Sequence, residues 1–356
     1  MHIERKKRKV SRETINREYN QLQPIRKGVL VGLFDSFKRE KKPLDTVEEP
    51  KNDHEEDVPA VEEPEPAETE ETTPAEEEFT EEVIEMKPIK TMDQKKRVTH
   101  VIGETKIMAI INQKGGVGKS TTAVNLSAAL GELNKAVLLV DLDPQGNATS
   151  GLGVDKSQIA HDVYDVLLDD VSVMDAIVPD VSEGLDLLPA TINLAGAEVE
   201  LVNEMARENR LKNAIGALRG KYDYIFIDCP PSLGLLTINA LVASDKLLIP
   251  IQCEFYALEG VTKLLDSMKR VKGMLNPSLD IFGVVLTMYD GRTTLAREVA
   301  NEVRRFFGKV VFDTMIPRTV KLSEAPSYGQ PITEYDPKGK GAEAYINMAK
   351  EVISRG

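Results

Sequence analysis

From Lys106 to the C-terminus, short apolar runs alternate with longer amphipathic stretches. The runs Ile107–Asn112, Val137–Asp141, Leu185–Pro189, Tyr224–Asp228, Lys246–Ile251, Ile281–Tyr289 and Val310–Ile316 are nearly continuous in apolar residues. That is the pattern of strands buried on both faces, not of strands with one wet side. Between them, the stretches 120–133, 194–219, 258–275 and 294–307 repeat apolar residues at helical spacing. Buried strands alternating with helices predict an α/β fold with a mostly parallel, twisted sheet and helices on both faces. The pattern predicts one such domain over residues 101–356. The last stretch, GAEAYINMAKEVISRG, reads as a packed helix with a short polar tail.

Residues 1–100 lack the alternation. Residues 45–85 hold nineteen acids, one lysine and one aromatic, with many Pro and Thr. Such a segment buries too little apolar surface to offset its ordering entropy, which predicts a disordered acidic linker over 45–100. Residues 1–44 are basic, with thirteen Lys and Arg against five acids. Within them Leu30, Leu33, Phe34 and Phe37 fall at helical spacing ahead of Lys38, Arg39, Lys41 and Lys42. Residues 29–42 therefore have the make-up of a short membrane-surface or partner-binding helix. Arg26-Lys27-Gly28 followed by valines leaves two translation starts open, Met1 and Val29 or Val31.

Charge changes the picture once it is divided. The chain carries −13 overall, but most of that sits in the acidic linker. The folded part is mildly acidic, so any contact with nucleic acid has to come from a local basic patch. No run of 18 apolar residues occurs, so no membrane-spanning helix is predicted. Two cysteines, Cys229 and Cys253, are too few for a disulfide framework or a four-ligand zinc site, and a reducing cytoplasm is expected.

Three stretches carry chemistry. KGGVGKST follows a strand and opens a helix, the context of a phosphate-binding loop. Gly115, Gly116, Val117 and Gly118 let backbone amides face phosphate. Lys119 reaches the β- and γ-phosphates, the Ser120 hydroxyl ligates Mg2+, and Thr121 contacts the α-phosphate. The loop departs from the usual pattern: Gln113 stands where the first glycine belongs, and a second lysine, Lys114, follows it. In VLLVDLDPQGNAT, a buried strand delivers Asp141 and Asp143 to its C-terminal end, where ligands bind in open α/β sheets. One acid suits the metal's water shell and the other the attacking water. In YDYIFIDCPPSLG, an apolar strand ends in Asp228, the position of an acid that supports magnesium. Together they predict a nucleoside triphosphate and Mg2+.

These stretches, with PIQCEFYALEG and IPRTVKLSEAPSYGQPITEYDP, resemble the ParA/Soj family of partition ATPases, the deviant Walker A class. The resemblance runs from Lys106 to Gly356. It implies a P-loop NTPase-like fold and an ATP-dependent homodimer with two ATP molecules at its interface. Lys114 then crosses to the partner's nucleotide, and Gly115 lies where the two backbones meet. Asp143 becomes the hydrolysis residue, Asp141 and Asp228 the magnesium-side acids, and Pro317 and Thr319 the adenine-contacting loop. Arg292 and Lys321 match DNA-contacting positions, with Arg297, Arg304, Arg305, Lys309 and Arg318 nearby. The family's activity is slow, partner-stimulated ATP hydrolysis. Its implied partners are nonspecific double-stranded DNA and a ParB-like protein, and its implied location is cytoplasmic, on the nucleoid. The alternative is a MinD-like membrane-associated positioning ATPase, a class that ends in a C-terminal amphipathic anchor.

Overall fold

The computed structural model describes residues 102–168, 171–255 and 257–356. The expectations for the basic segment 1–44, the stretch 29–42 and the acidic linker 45–100 lie outside the described residues.

Eight strands form one sheet in the order β3-β4-β2-β5-β1-β6-β7-β8. They are β1 (Lys106–Ile110), β2 (Val137–Asp141), β3 (Val178–Ser182), β4 (Leu185–Leu188), β5 (Tyr224–Asp228), β6 (Lys246–Gln252), β7 (Asp280–Tyr289) and β8 (Val311–Pro317). Every neighbouring pair is parallel except β3 with β4. Five longer helices cover the sheet: α1 (Lys119–Glu132), α2 (Leu235–Ala243), α3 (Glu259–Met274), α4 (Thr294–Phe307) and α5 (Lys340–Arg355).

The strand period of two sorts side chains into two cores. Ile107 and Ala109 of β1 face the core shared with Leu236 and Ala240 of α2, Leu264 of α3, and Ala300 and Val303 of α4. Met108 and Ile110 face the other core, with Leu126 and Leu130 of α1 and Tyr345 and Met348 of α5. Both faces are covered, as continuous apolar strands require. The final helix spends its apolar face on this packing: Tyr345, Met348, Ala349 and Val352 are buried. Its Tyr345 hydroxyl lies 3.4 Å from that of Thr122 on α1.

Two elements differ from the sequence expectation. β3 was not predicted, because VPDVS carries a proline and an aspartate. It is an antiparallel edge strand with an irregular register, where a missing proline N–H is tolerated. The single helix expected over 194–219 is broken into Leu194–Glu200, the 3-10 turns Leu201–Asn203 and Arg207–Asn209, and Arg210–Gly216. Ala206 sits in the left-handed region at φ 52. Asn239 of α2 stabilises the break, donating to the Arg207 carbonyl (2.8 Å) and accepting from the Leu211 amide (3.1 Å). Side-chain partners from a neighbouring helix thus replace the bonds a continuous helix would have made.

Because β1, β2, β5, β6, β7 and β8 are parallel, their C-terminal ends share one edge. The register pairs Ile110 with Asp228 and Asp141 with Asp228. Residues 87 positions apart in the chain become neighbours there.

Candidate active site

The loop from Ile111 to Gly118 links β1 to α1. Gly116 (φ 71) and Gly118 (φ 87) take left-handed conformations that a side chain would strain, which turns the loop sharply before α1 begins. Two buried polar side chains tether it. Asn112 donates to the Pro250 carbonyl on β6 (2.8 Å) and accepts from the Lys114 amide (3.1 Å). The Thr287 hydroxyl on β7 donates to the Val117 carbonyl (2.8 Å). Sequence reasoning did not single out Asn112 or Thr287. The available signal was a polar residue within or just beyond an otherwise apolar strand. Gln113, the residue in place of a glycine, has its side-chain nitrogen buried with no hydrogen-bond partner.

Lys119, the first residue of α1, is 7% exposed. Its ammonium lies 3.4 Å from the Lys114 carbonyl. Burial pulls its pKa down, and the charges of Asp228 and Asp143 work against that pull. A buried cation beside upturned loop amides can hold phosphate oxygens. Ser120 and Thr121 follow it on the first turn, both half-buried. Lys114 is more open, and its ammonium lies 3.6 Å from a Glu254 carboxylate oxygen.

The acids at the strand ends divide into distinct environments. Asp141 is fully buried. One of its oxygens accepts from both the amide and the hydroxyl of Thr149 (2.8 Å each), and the other from the Asp143 amide (3.3 Å). Burial still raises its pKa to about 6, against those hydrogen bonds. Thr149 lies in the short helix Asn147–Gly151, so Asp141 ties that helix and the backbone of Asp143 to the end of β2. Asp143 is nearly buried, and its side chain accepts from the Gln145 amide (3.0 Å).

Asp228 is also fully buried, yet no hydrogen bond of ordinary geometry reaches either oxygen. Burial raises its pKa well above the carboxylate range, and the Asp141 charge adds to this. The nearby Ser120 hydroxyl and Lys119 ammonium act the other way. An unpartnered buried carboxylate is costly unless a cation compensates it. Among the described residues, no group of three or more His, Cys, Asp or Glu forms a metal cage. The residues present, the Ser120 hydroxyl with the Asp228 and Asp141 carboxylates, suit an ion held through a hydroxyl, one or two acids, water and substrate oxygens, which is how Mg2+ is usually bound. Cys229, next to Asp228, is buried, and burial pushes its thiol far up. Cys253 is pushed up to about 12, so both stay protonated.

The remaining predicted residues lie at the ends of β7 and β8. The sheet pairs Tyr289 with Pro317, so the loop carrying Arg292 runs beside the segment from Arg318 to Lys321. Pro317 and Thr319 are half-buried. The Thr319 side chain accepts from the Leu322 amide (3.3 Å), capping the short helix Val320–Glu324 that carries Lys321. Arg292 and Lys321 are exposed, and each makes an ion pair, with Asp290 and Glu324 respectively. Arg297, Arg304 and Arg305 are exposed along α4.

Comparison with known proteins gives consistent neighbours. A family model described as an AAA domain matches residues 105–281. The chain is 59% identical over 251 residues to the sporulation initiation inhibitor protein Soj of Bacillus subtilis, covering 70% of this chain and 99% of that one. It is 52% identical over 252 residues to the chromosome partitioning protein ParA of Caulobacter vibrioides, covering 70% and 94%. Among solved structures, the Mycobacterium smegmatis cobyrinic acid a,c-diamide synthase with bound ATP analog and magnesium is 42% identical. It superposes with a TM-score of 0.62 over 70% of this chain and 94% of that one.

Proposed function

The chain belongs to the ParA/Soj family of partitioning ATPases, and from that premise we propose that it works as an ATP-driven DNA-segregation switch. ATP binding makes a dimer, the dimer holds DNA without sequence preference, and a ParB-like partner triggers hydrolysis and release. One observation carries the reading most: the buried, unpartnered Asp228 beside Lys119 and Ser120 at the end of a tethered phosphate loop.

The residues divide the work as follows. The amides of 115–118 and the Lys119 ammonium hold the β- and γ-phosphates. Thr121 contacts the α-phosphate, and the segment at Pro317 and Thr319 borders the adenine. Ser120, with its hydroxyl, and Asp228, with its carboxylate, would hold Mg2+, which when bound would neutralise charge that develops on the phosphate oxygens. Asp141 adds negative charge at one remove and fixes the backbone of Asp143. Asp143 orients the attacking water. Lys114 crosses to the partner's phosphates, where two facing triphosphates would otherwise repel. Arg292 and Lys321 contact DNA phosphates on the outer surface.

The MinD-like alternative has its own similarity: the cell division ATPase MinD of Pyrococcus furiosus is 30% identical, with a TM-score of 0.60 over 70% of this chain and 99% of that one. A C-terminal amphipathic anchor is not on offer here, however, because the apolar face of α5 is packed into the core. Among the described residues, no helix is long and apolar enough to cross a membrane.

Two measurements test the reading. Unrelated duplex DNA should retain the full chain with ATP and Mg2+ but not without nucleotide. Phosphate contacts also predict that affinity falls at least about tenfold between about 50 and 200 mM salt. Equal retention without nucleotide, or indifference to salt, refutes the switch. The second measurement follows Asp228 and Asp141. Both pKa values are raised by burial, to about 6 for Asp141. The folded state therefore keeps protons that the unfolded chain releases above about pH 3.9. This contribution to stability is present at low pH and is lost as pH rises, through about 6 for Asp141. A bound cation compensates the charge that then appears. The extra thermal stabilisation from Mg2+ over ATP alone should grow as pH rises and the two acids ionise. It should disappear in Asp228→Asn. An unchanged magnesium increment in that variant removes Asp228 from the metal site.

A further inference from the structure

The two basic residues assigned to DNA are both already held by carboxylates of the same chain. Arg292 forks onto Asp290, with Nε to Oδ1 at 2.9 Å and Nη2 to Oδ2 at 2.7 Å. The Arg292 backbone amide also donates to Asp290 Oδ1 (3.1 Å). A bidentate guanidinium pair uses the geometry that an arginine offers to a phosphate. The acid thus fills the place a phosphate would take. Lys321 Nζ donates to Glu324 Oε2 (2.9 Å), one turn along its short helix. The Tyr335 hydroxyl donates to the same oxygen (3.0 Å), and the Lys321 ammonium lies 5.2 Å from the centre of the Tyr335 ring. Tyr328 stacks on Tyr335 at 5.0 Å, which steadies the aromatic side of this pair.

The loops that carry the two pairs leave adjacent strands, β7 and β8. The Tyr289–Pro317 pairing and the hydrogen bond from the Arg318 amide to the Tyr289 carbonyl (3.2 Å) set both loops at one sheet edge. Hydrogen bonds from Arg292 are the main cause holding the Asp290 carboxyl down to about 2, and the Arg318 charge adds to them. Lys321 and Tyr335 hold the Glu324 carboxyl below its usual range. Both acids therefore stay ionised wherever the protein works. The pairs remain reachable, since the Arg292 side chain is 90% exposed and that of Lys321 54%. Exposed pairs are weak and displaceable.

We propose that Asp290 and Glu324 are built-in competitors for DNA phosphate: each neutralises its basic neighbour until a phosphate displaces it, and together they hold the affinity of this surface down. The proposal rests on the reading that Arg292 and Lys321 contact DNA. A ligand that must displace a resident carboxylate gains less from each cation. It also releases fewer bound counterions, because a pre-paired cation is partly neutral already. The surface then binds in a way that partner-triggered hydrolysis can reverse.

The test uses the full chain with ATP, Mg2+ and unrelated duplex DNA, comparing Asp290→Asn, Glu324→Gln and the double variant with Arg292→Ala and Lys321→Ala. In Asp290→Asn the new amide oxygen can still accept from the Arg292 backbone amide. In Glu324→Gln it can still accept from the Tyr335 hydroxyl, so folding is preserved in both. Basal ATP hydrolysis without DNA should be unchanged in the two acid variants. The double variant should bind DNA about five- to tenfold more tightly, and its salt dependence should steepen by up to about two phosphate contacts. Unchanged or weaker binding there, with Arg292→Ala and Lys321→Ala both weakened, overturns the competitor proposal and leaves the DNA surface standing. Unchanged binding in Arg292→Ala and Lys321→Ala overturns both.

Discussion

Alanine at Asp143 should slow ATP hydrolysis by about a hundredfold or more while the ATP-dependent dimer still forms, because orienting and activating water contributes effects of that size. The proposed assignment gives Asp143 a role apart from nucleotide holding. In the proposed reading Lys119 and the loop amides grip phosphate, and Asp228 offers the unpartnered carboxylate. Asp143 has its amide fixed on Asp141 and its side chain on the Gln145 amide. Deleting it leaves the grip intact and removes the group that aligns the attack. A dimer that loads ATP but cannot discharge it should accumulate on DNA. Phosphate release measured alongside size-exclusion chromatography in ATP and Mg2+ checks both halves. Asp143→Asn refines the test, since its amide oxygen can still accept from Gln145 while the charge is gone. A normal turnover rate in either variant removes Asp143 from the reaction.

Valine at Gly115 should abolish ATP-dependent dimerisation, and with it DNA retention, without unfolding the chain. The contrast within one loop is physical. Gly118 takes φ 87, and a side chain there strains the backbone. Gly115 lies outside the left-handed region, and a Cβ built on it meets no atom within 4 Å. Nothing within the subunit opposes a Cβ at Gly115, so a loss of dimerisation with ATP affinity kept points to another subunit. Melting temperature should stay near that of the parent, and ATP affinity should change by a few-fold at most. The expected loss is in the sedimentation or light-scattering signature of the dimer. A Gly115→Val protein that dimerises normally with ATP would remove the close backbone approach from the proposed interface.

Much of this was legible before any coordinates. The seven apolar runs correspond to β1, β2 and β4 to β8 with ends displaced by two residues at most, since burial on both faces leaves a continuous apolar signature. The phosphate loop was legible because glycine spacing, lysine and hydroxyl are all local. Other features left no such trace. β3 looks like a turn because an edge strand can carry Pro and Asp. The helix expected over 194–219 breaks because Asn239, on another helix, captures its backbone groups. Thr287 holds the phosphate loop across 170 residues of sequence.

Local spacing by itself determined seven of the eight strands, the phosphate loop with its extra Lys114, and the acids at Asp141, Asp143 and Asp228. Only the tertiary structure decided how the acids differ. Parallel register sets Asp141 against Asp228, and Thr149 then satisfies the first and not the second. It also decided that the loops of Arg292 and Lys321 follow neighbouring strands, with each basic residue already paired with an acid. The reason is that periodicity records which face a residue turns to its own element, whereas a carboxylate's partners are set by strand order and loop closure between segments far apart in the chain.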